Sequence, residues 1–118
     1  MIGHFRAAAA AAVVIFGLAP HDLHAQSYPT RAVTIIVPTT AGGGTDIIAR
    51  LIGDQLSKQL GQAFVIENRP GAGLVVGTVA AAKAAPDGYT LLAGLNGSMA
   101  VNPSLFSKLA YDPIRDFT

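Results

Sequence analysis

The strongest constraint on the fold of this chain is a strand, a glycine-rich loop and a helix that follow one another between Thr34 and Leu60. Ala32–Pro38 is short, apolar and β-branched, which is typical of a strand covered on both faces. The three consecutive glycines Gly42–Gly44 then predict a sharp turn. From Ile47 onward the apolar residues recur with a helical period, and we expect them to form the buried face of an amphipathic helix. That face comprises Ile47, Ile48, Leu51, Ile52, Leu56 and Leu60.

Both ends of this helix carry sequence signals. Gly61 is placed to cap the C-terminus, and Lys58 lies near the negative end of the helix dipole. At the N-terminus, Thr45 or Asp46 is the expected capping residue. Two acid-before-base pairs at the favourable i,i+4 spacing further favour a helix. They are Asp46 with Arg50 and Asp54 with Lys58.

The loop between this strand and this helix is the candidate binding site. A strand that enters a helix through glycines leaves backbone N–H groups unpaired at the positively polarised end of the helix, and such groups bind anions. We therefore predict that Thr39–Asp46 holds the carboxylate of a small ligand. Asn96 and Ser98 follow the third predicted strand and are further candidate donors, with an ordinary Asx or Ser turn as the alternative. The predicted ligand-binding residues are Thr39, Thr40, Ala41, Gly42, Gly43, Gly44, Thr45, Asp46, Asn96 and Ser98.

Other roles are open for the same residues. The glycines could form a turn and nothing more, and Asp46 could act only as a helix cap. The loop lacks the lysine of a phosphate-binding P-loop, and the dinucleotide fingerprint fails where Ile47 stands in place of its third glycine. Glu67, about 20 residues after the loop, nevertheless sits where a ribose-binding acid belongs, so the dinucleotide-binding half of an NAD-type oxidoreductase is the alternative function. Arg69 is either a carboxylate clamp or the partner of Glu67.

The rest of the chain predicts the element order β-α-β-α-β-loop-α. Strands joined by helical crossovers are parallel, and ligands bind beyond their C-terminal ends. The predicted fold class is therefore α/β, a parallel sheet with flanking helices, in which the loops at 39–46, 68–73 and 94–98 share one edge. After the first helix, the predicted elements are strands at Gln62–Glu67 and Tyr89–Ala93, a helix at Leu74–Ala85 and a short helical turn at Asn102–Leu109.

Residues 1–25 have the pattern of a secretory signal peptide. Arg6 gives a weakly positive start, the 12 residues Ala7–Leu18 form an uninterrupted apolar run, and Ala25 ends a cleavage site. The run is shorter than the roughly 20 residues of a membrane-spanning helix, although a retained N-terminal anchor is the alternative. The mature chain is expected to begin near Gln26 and to reach the periplasm.

Composition excludes several classes of function. The chain contains no cysteine, and its three histidines, His4, His21 and His24, all lie in the predicted signal peptide. The mature chain therefore lacks the commonest general base, the thiol nucleophile and every nitrogen or sulfur metal ligand. We predict a protein that is not an enzyme and that holds no metal or cofactor. The formal net charge of +1 and the 7% aromatic content provide no basic, base-stacking surface for nucleic acid.

Several sequence blocks, in a characteristic order and spacing, resemble the Bug-type solute-binding proteins. These proteins are the extracytoplasmic receptors of tripartite tricarboxylate transporters, and the likeness extends over residues 28–118. The blocks are Ile36–Pro38, Ala41–Asp46, Val65–Gly73, Ala85–Thr90, Asn102–Pro103 and Tyr111–Pro113.

The resemblance implies a periplasmic binding protein of the type II fold, whose two lobes close on a small carboxylate for delivery to the membrane components of the transporter. Residues 26–118 would form the N-terminal part of the first lobe in a truncated chain, with a non-functional exported fragment as a further alternative. The loop after the first strand would contact the ligand. Two positions depart from the family pattern: Thr39 replaces a usually aromatic residue, and Leu74 stands where a small or polar residue is usual.

Overall fold

The computed structural model of the protein describes residues 27–118. The predicted signal peptide at residues 1–25 and the predicted mature start near Gln26 lie outside this range. The elements are β1 (Val33–Val37), α1 (Gly44–Leu60), β2 (Phe64–Asn68), α2 (Val75–Ala82), β3 (Thr90–Leu92), a π-helical turn (Gly97–Val101) and α3 (Asn102–Leu105). Their order and types are those predicted, apart from the π-helical turn.

The three strands form a parallel sheet in the order β2-β1-β3, with β1 in the centre. Ile35 of β1 is in register with Ile66 on one side and with Leu91 on the other. The parallel arrangement is confirmed, and it brings the three loops that follow the strands to one edge of the sheet. These are loop 1 (Pro38–Gly43), loop 2 (Arg69–Leu74) and loop 3 (Ala93–Asn96).

β1 is the most buried element of the sheet. Val33 and Val37 are fully buried, and both Ile35 and Ile36, which point to opposite faces, are buried as well. The prediction of a strand covered on both faces is confirmed. The core is built around Ile35, Val37 and Ala49, with Phe64, Ile66, Leu91 and Ala93 packed against it.

The helix α1 packs on the sheet with the opposite face from the one predicted. Its buried residues are Asp46, Ala49 and Gly53. The residues at this contact are small: a Cβ on Gly53 would already lie in van der Waals contact with atoms of Phe64 and Ile66, at 3.4 Å, so the interface has room for a methyl group and little more. The prediction of an inward apolar face is therefore wrong for most of its members. Ile47, Ile48, Leu51 and Ile52, here called the α1 ridge, expose 52%, 58%, 63% and 52% of their surface, and Leu60 exposes 43%.

Several local predictions about α1 are confirmed, and one is wrong. Gly61 caps the C-terminus in the left-handed conformation with φ 70°. The two i,i+4 ion pairs form, with nitrogen–oxygen distances of 2.9 Å for Arg50–Asp46 and 2.6 Å for Lys58–Asp54. The N-cap, however, is Gly43, so neither Thr45 nor Asp46 caps the helix. Among residues 27–118, no helix is long and apolar enough to cross a membrane.

The remaining boundaries differ from prediction by a few residues. The second strand extends to Asn68, the predicted helix at Leu74–Ala85 ends at Ala82, and the third strand is shortened to Thr90–Leu92. The largest difference lies after β3, where Gly97 and Ser98 belong to the π-helical turn instead of a loop. That turn continues directly into α3, which ends at Leu105 instead of Leu109.

A glycine at the start of α2 sets the distance between that helix and the sheet. The Cβ of any other residue at Gly77 would lie 2.7 Å from the carbonyl oxygen of Arg69 and 2.8 Å from the Cα of Pro38. Both contacts are to residues that open a loop at the C-terminal edge of the sheet. Gly77 therefore allows α2 to hold the first residues of loops 1 and 2 together.

Replacing Gly77 with alanine is expected to lower the free energy of unfolding by about 1–3 kcal/mol, because the new methyl group would overlap backbone atoms that cannot move freely. The matched control is Gly53→Ala in α1, where the methyl group would lie at ordinary contact distance. We expect this control to be neutral or up to about 1 kcal/mol more stable, because alanine favours a helix over glycine. Urea unfolding followed by circular dichroism measures both, and equal effects would contradict the close approach of α2.

The orientation of α1 gives a second stability test. Leu51→Ala is expected to change the free energy of unfolding by less than about 0.5 kcal/mol, because this side chain of the α1 ridge is mostly in water. Ile36→Ala removes a buried side chain of the central strand and is expected to cost about 2–5 kcal/mol. The same urea titration compares the two variants. A loss in Leu51→Ala as large as that in Ile36→Ala would show that the ridge is buried.

Candidate functional site

Loop 1 turns sharply into α1 and leaves a row of backbone amides open. Gly42 has φ 85°, a left-handed conformation that side chains disfavour, and Gly43 is extended as the N-cap. The first intrahelical bond runs from the amide of Ile47 to the carbonyl oxygen of Gly43, at 3.0 Å. Within residues 27–118, the amides of Gly43–Asp46 have no hydrogen-bond acceptor. They are the unpaired N–H groups that every α-helix presents at its positive end.

The carboxylate of Asp46 is the hub of this loop. Its Oδ2 accepts hydrogen bonds from the amide of Gly42 at 2.8 Å and from Nε of Arg50 at 2.9 Å, and its Oδ1 accepts one from Nδ2 of Asn68 at 2.9 Å. Only 2% of the residue is exposed. The hydrogen bond from Arg50, followed by those from Gly42 and Asn68, holds the pKa of Asp46 well below its ordinary value. Asp46 is thus a buried, ionised group whose oxygens are turned toward the protein.

Asn68, the last residue of β2, connects this hub to the start of the loop. Its Nδ2 also donates to the carbonyl oxygen of Thr39 at 3.2 Å, and its Oδ1 accepts a hydrogen bond from Nη2 of Arg50 at 3.0 Å. Both ends of the Thr39–Gly42 turn are therefore held by one network. Sequence reasoning did not include Asn68 and Arg50 among the site residues. The signal that could have found Asn68 is the parallel register, which pairs it with Val37 immediately before the loop.

The threonines of loop 1 differ in their surroundings. The hydroxyl oxygen of Thr39 is buried and has no hydrogen-bond partner within the described residues. Thr40, Ala41 and Gly42 are exposed, and Thr45 in the first turn of α1 is half-buried. The predicted residues from Thr39 to Asp46 thus form one continuous surface, with the exception of the enclosed Asp46 carboxylate.

Ser98, at the start of the π-helical turn, folds back onto loop 3. Its hydroxyl donates to the carbonyl oxygen of Leu95 at 3.0 Å and accepts a hydrogen bond from the amide of Leu95 at 3.3 Å. The side chain is fully buried, so the geometry is that of an ordinary serine turn. Asn96, the other residue predicted there, is exposed and precedes the π-helical turn.

Loop 2 is held in an unusual conformation between its neighbours. Ala72 and Leu74 have φ values of 46° and 77°, which non-glycine residues rarely adopt. Nδ2 of Asn102 donates to the carbonyl oxygen of Gly73 at 2.8 Å, and a Cβ on Gly97 would lie 2.8 Å from the Leu74 side chain. On the other side, the amide of residue 69 donates to the carbonyl oxygen of residue 37 at 2.8 Å. Loop 2 therefore connects loop 1 to the π-helical turn.

The two alternatives for Arg69 are also resolved by the structure. Its Nε donates to Oε1 of Glu67 at 2.7 Å, and both side chains are substantially exposed. Arg69 is thus the partner of Glu67, one of the two roles that the sequence left open. The Glu67 carboxylate, which the dinucleotide alternative would assign to ribose binding, is therefore engaged by Arg69.

The site at loop 1 is an open surface instead of an enclosed cavity. A groove of about 640 Å³ lies elsewhere, between α2, the outer edge of β3 and the segment Arg115–Thr118. None of the predicted ligand-binding residues lines it. We place the candidate site at loop 1 because that is where unpaired amides are concentrated. Within residues 27–118, no group of three or more His, Asp or Glu side chains could hold a metal ion.

Comparisons with known proteins identify the same family that the sequence blocks resemble. A model described as the tripartite tricarboxylate transporter family receptor matches residues 48–118. BugT of Bordetella pertussis is 45% identical over 93 residues, which are 78% of this chain and 28% of BugT. A UPF0065 protein of Bordetella bronchiseptica is 40% identical over 105 residues, which are 89% of this chain and 31% of that protein. The chain thus spans about a third of the length of these curated relatives.

Two solved structures from Rhodopseudomonas palustris share this arrangement of strands and helices. The structure titled MatC with bound malate is 48% identical, with a TM-score of 0.73 over 77% of this chain and 31% of that chain. The structure of Rpa4515 with adipate is 45% identical, with a TM-score of 0.70 over 74% of this chain and 29% of that chain. The bound molecule is a dicarboxylate in both of these structures.

The network at Asp46 predicts an acid-dependent loss of stability. Because the folded-state pKa of Asp46 lies below its ordinary value of 3.8, its contribution to stability is complete at neutral pH. It is lost progressively as the pH falls below 3.8 toward the folded-state pKa, since the unfolded chain then binds the proton more readily. We expect Asp46→Asn to be less stable at neutral pH, because an amide offers one acceptor oxygen to three donors, and to lose less stability on acidification.

Urea unfolding at a series of pH values measures this effect. The matched control is Asp54→Asn on the same helix, where an exposed pair with Lys58 is removed. A surface pair of this kind contributes little to stability. We therefore expect the stability of Asp54→Asn to fall on acidification as much as that of the unmodified chain. If Asp46→Asn and the unmodified chain lose stability in parallel between neutral pH and about pH 2.5, Asp46 does not make the contribution assigned to it.

Proposed function

This chain belongs to the tripartite tricarboxylate transporter receptor family, and from that premise we propose that it binds a small carboxylate outside the cytoplasm. The family consists of solute-binding receptors and not of enzymes, in line with the absence of histidine and cysteine from residues 26–118. The α/β arrangement, with its parallel sheet and flanking helices, resembles part of the periplasmic binding protein BugD, which is 39% identical with a TM-score of 0.67 over 75% of this chain and 29% of BugD.

The row of unpaired amides at Gly43–Asp46 is the observation that carries the proposal. These groups lie at the positive end of a helix of 17 residues, at the edge of the sheet where parallel α/β folds bind ligands. A carboxylate supplies the acceptor oxygens and the negative charge that such a row lacks. Malate and adipate, the molecules bound in two related structures, are both dicarboxylates.

We assign different roles to the ten predicted residues. The amides of Gly43, Gly44 and Thr45 bind a carboxylate directly, with the exposed hydroxyl of Thr40 as an additional donor. Thr39, whose hydroxyl is buried, Ala41 and Gly42 shape the turn, and the exposed Asn96 contributes a polar group from loop 3. Asp46 and Ser98, whose side-chain polar atoms are engaged within the protein, position these loops, and their side chains do not contact the ligand.

We further propose how this chain relates to a complete receptor. Residues 26–118 correspond to the N-terminal part of the first lobe of a two-lobed protein, and residues 1–25 direct its export to the periplasm. The complete receptor encloses the carboxylate between both lobes and delivers it to the membrane components of its transporter. Because a single partial lobe contacts the ligand from one side only, we expect this chain to bind weakly.

The amide row gives a direct test by two substitutions at the first residue of α1. Gly44→Pro removes one N–H while keeping the helix, because proline is favoured at the first helical position. Gly43 already has the extended backbone, φ −75° and ψ 166°, that a residue before proline adopts. Gly44→Ala keeps the N–H and is the matched control, because a Cβ there would meet nothing within 4 Å.

Titration of the amide resonances of Gly43 and Thr45 measures the outcome, with malate, adipate and the uncharged adipamide as ligands. We expect saturable shifts with at least one acid and none with adipamide. Gly44→Pro is expected to weaken binding about 10-fold, the usual effect of one hydrogen bond to a charged group, and Gly44→Ala less than about 2-fold. The proposal would be refuted by an absence of shifts with both acids, or by equal affinity in Gly44→Pro and Gly44→Ala.

A further inference from the structure

The proposed site contains an electrostatic conflict. The ionised carboxylate of Asp46 accepts a hydrogen bond from the amide of Gly42 at 2.8 Å, and the amide of Gly43 is the next along the chain. Consecutive Cα atoms lie only about 3.8 Å apart, so an anion bound at Gly43–Thr45 would be well within a Debye length of Asp46. Like charges at that separation repel, and a dianion is repelled more strongly than a monoanion, because its second charge adds a weaker, more distant repulsion.

Arg50 is the only cation within residues 27–118 that contacts Asp46. Its Nε donates to Oδ2 of Asp46 at 2.9 Å, and its Nη2 donates to Oδ1 of Asn68 at 3.0 Å. The Arg50 side chain is 52% exposed, whereas that of Asp46 is 3% exposed. The guanidinium group therefore reaches the buried carboxylate from the solvent side and makes the Asp46–Arg50 pair neutral overall.

We infer that Arg50 is a positioning residue whose charge allows a dicarboxylate to bind beside Asp46. It acts through Asp46 and does not contact the ligand. The inference rests on the proposed function and adds to it the preference of this site for ligand charge. Without the guanidinium group, the site would keep its open amides but would present a bare carboxylate next to them, and dianions would lose more affinity than monoanions.

Arg50 also hydrogen-bonds both Asn68 and Asp46, so its loss could weaken binding by disturbing the loop. The effect of its charge must therefore be separated from the effect of its hydrogen bonds. Arg50→Lys keeps the positive charge at a favourable i,i+4 spacing but cannot reproduce both hydrogen bonds of the guanidinium group. Arg50→Gln removes the charge. If charge matters, lysine rescues binding, and if hydrogen-bond geometry alone matters, lysine and glutamine behave alike.

The experiment compares ligands that differ in charge and not in length. Malate and adipate are titrated beside their monoamides at constant ionic strength, with the amide resonances of Gly43–Thr45 as the readout. For Arg50→Gln we expect about a 10-fold loss of affinity for the diacids and about a 3-fold loss for the monoamides. Arg50→Lys is expected to stay within about 2-fold of the unmodified chain for both. Lys58→Gln removes the same charge from α1 about 12 residues, or roughly 18 Å, beyond Asp46 and should change neither affinity.

A double variant covers the case in which Arg50→Gln fails to fold. Arg50→Gln combined with Asp46→Asn removes both charges, and we expect its ratio of diacid to monoamide affinity to return to within about 2-fold of that of the unmodified chain. The inference is overturned if Arg50→Lys loses as much affinity as Arg50→Gln, if diacids and monoamides lose equally, or if Lys58→Gln has the same effect. An unmodified chain that binds neither diacid would overturn the proposed function and this inference together.

Discussion

The structure at this edge of the sheet depends on one buried carboxylate. Burying a charge is unfavourable unless it is paired and hydrogen-bonded, and Asp46 meets that condition with three donors from three chain segments. The donors come from loop 1, from α1 and from the end of β2, so the carboxylate fixes the three segments together. Within residues 27–118, Asp46 accepts a hydrogen bond from the backbone amide of Gly42 and from no other backbone amide. The amides of Gly43–Asp46 at the start of α1 therefore stay unpaired in this part of the chain.

Local signals in the sequence were enough to predict the elements and their order. β1 is a short β-branched run, Gly61 caps α1, and the two i,i+4 ion pairs form on the surface of that helix. Each of these features depends on residues close in the chain, which is why the sequence alone reveals them. The parallel sheet then follows from the alternation of strands and helices.

The orientation of α1 could not be predicted, because hydrophobic periodicity does not say which face can approach a sheet. The α1 ridge is more apolar than the opposite face, yet Ala49 and Gly53 allow a closer fit to Phe64 and Ile66. The helix therefore packs through its small residues and leaves the four larger side chains exposed. The Asp46–Asn68 contact was missed for a similar reason, since it depends on the register of two strands and not on sequence spacing.

The contacts that hold loops 1 and 2 explain how a candidate site made of main-chain groups can be rigid. Loop 2 is held at one end by a backbone hydrogen bond to β1 and at the other by Asn102, and it tolerates two left-handed residues only because these contacts fix it. Loop 1 is held by Asn68 and Asp46 in the same way. For the proposed carboxylate, an amide row that is already in place would lose little conformational entropy on binding. Under this proposal the backbone amides would select for a carboxylate, whereas side chains around the row, such as Arg50, would select for its charge.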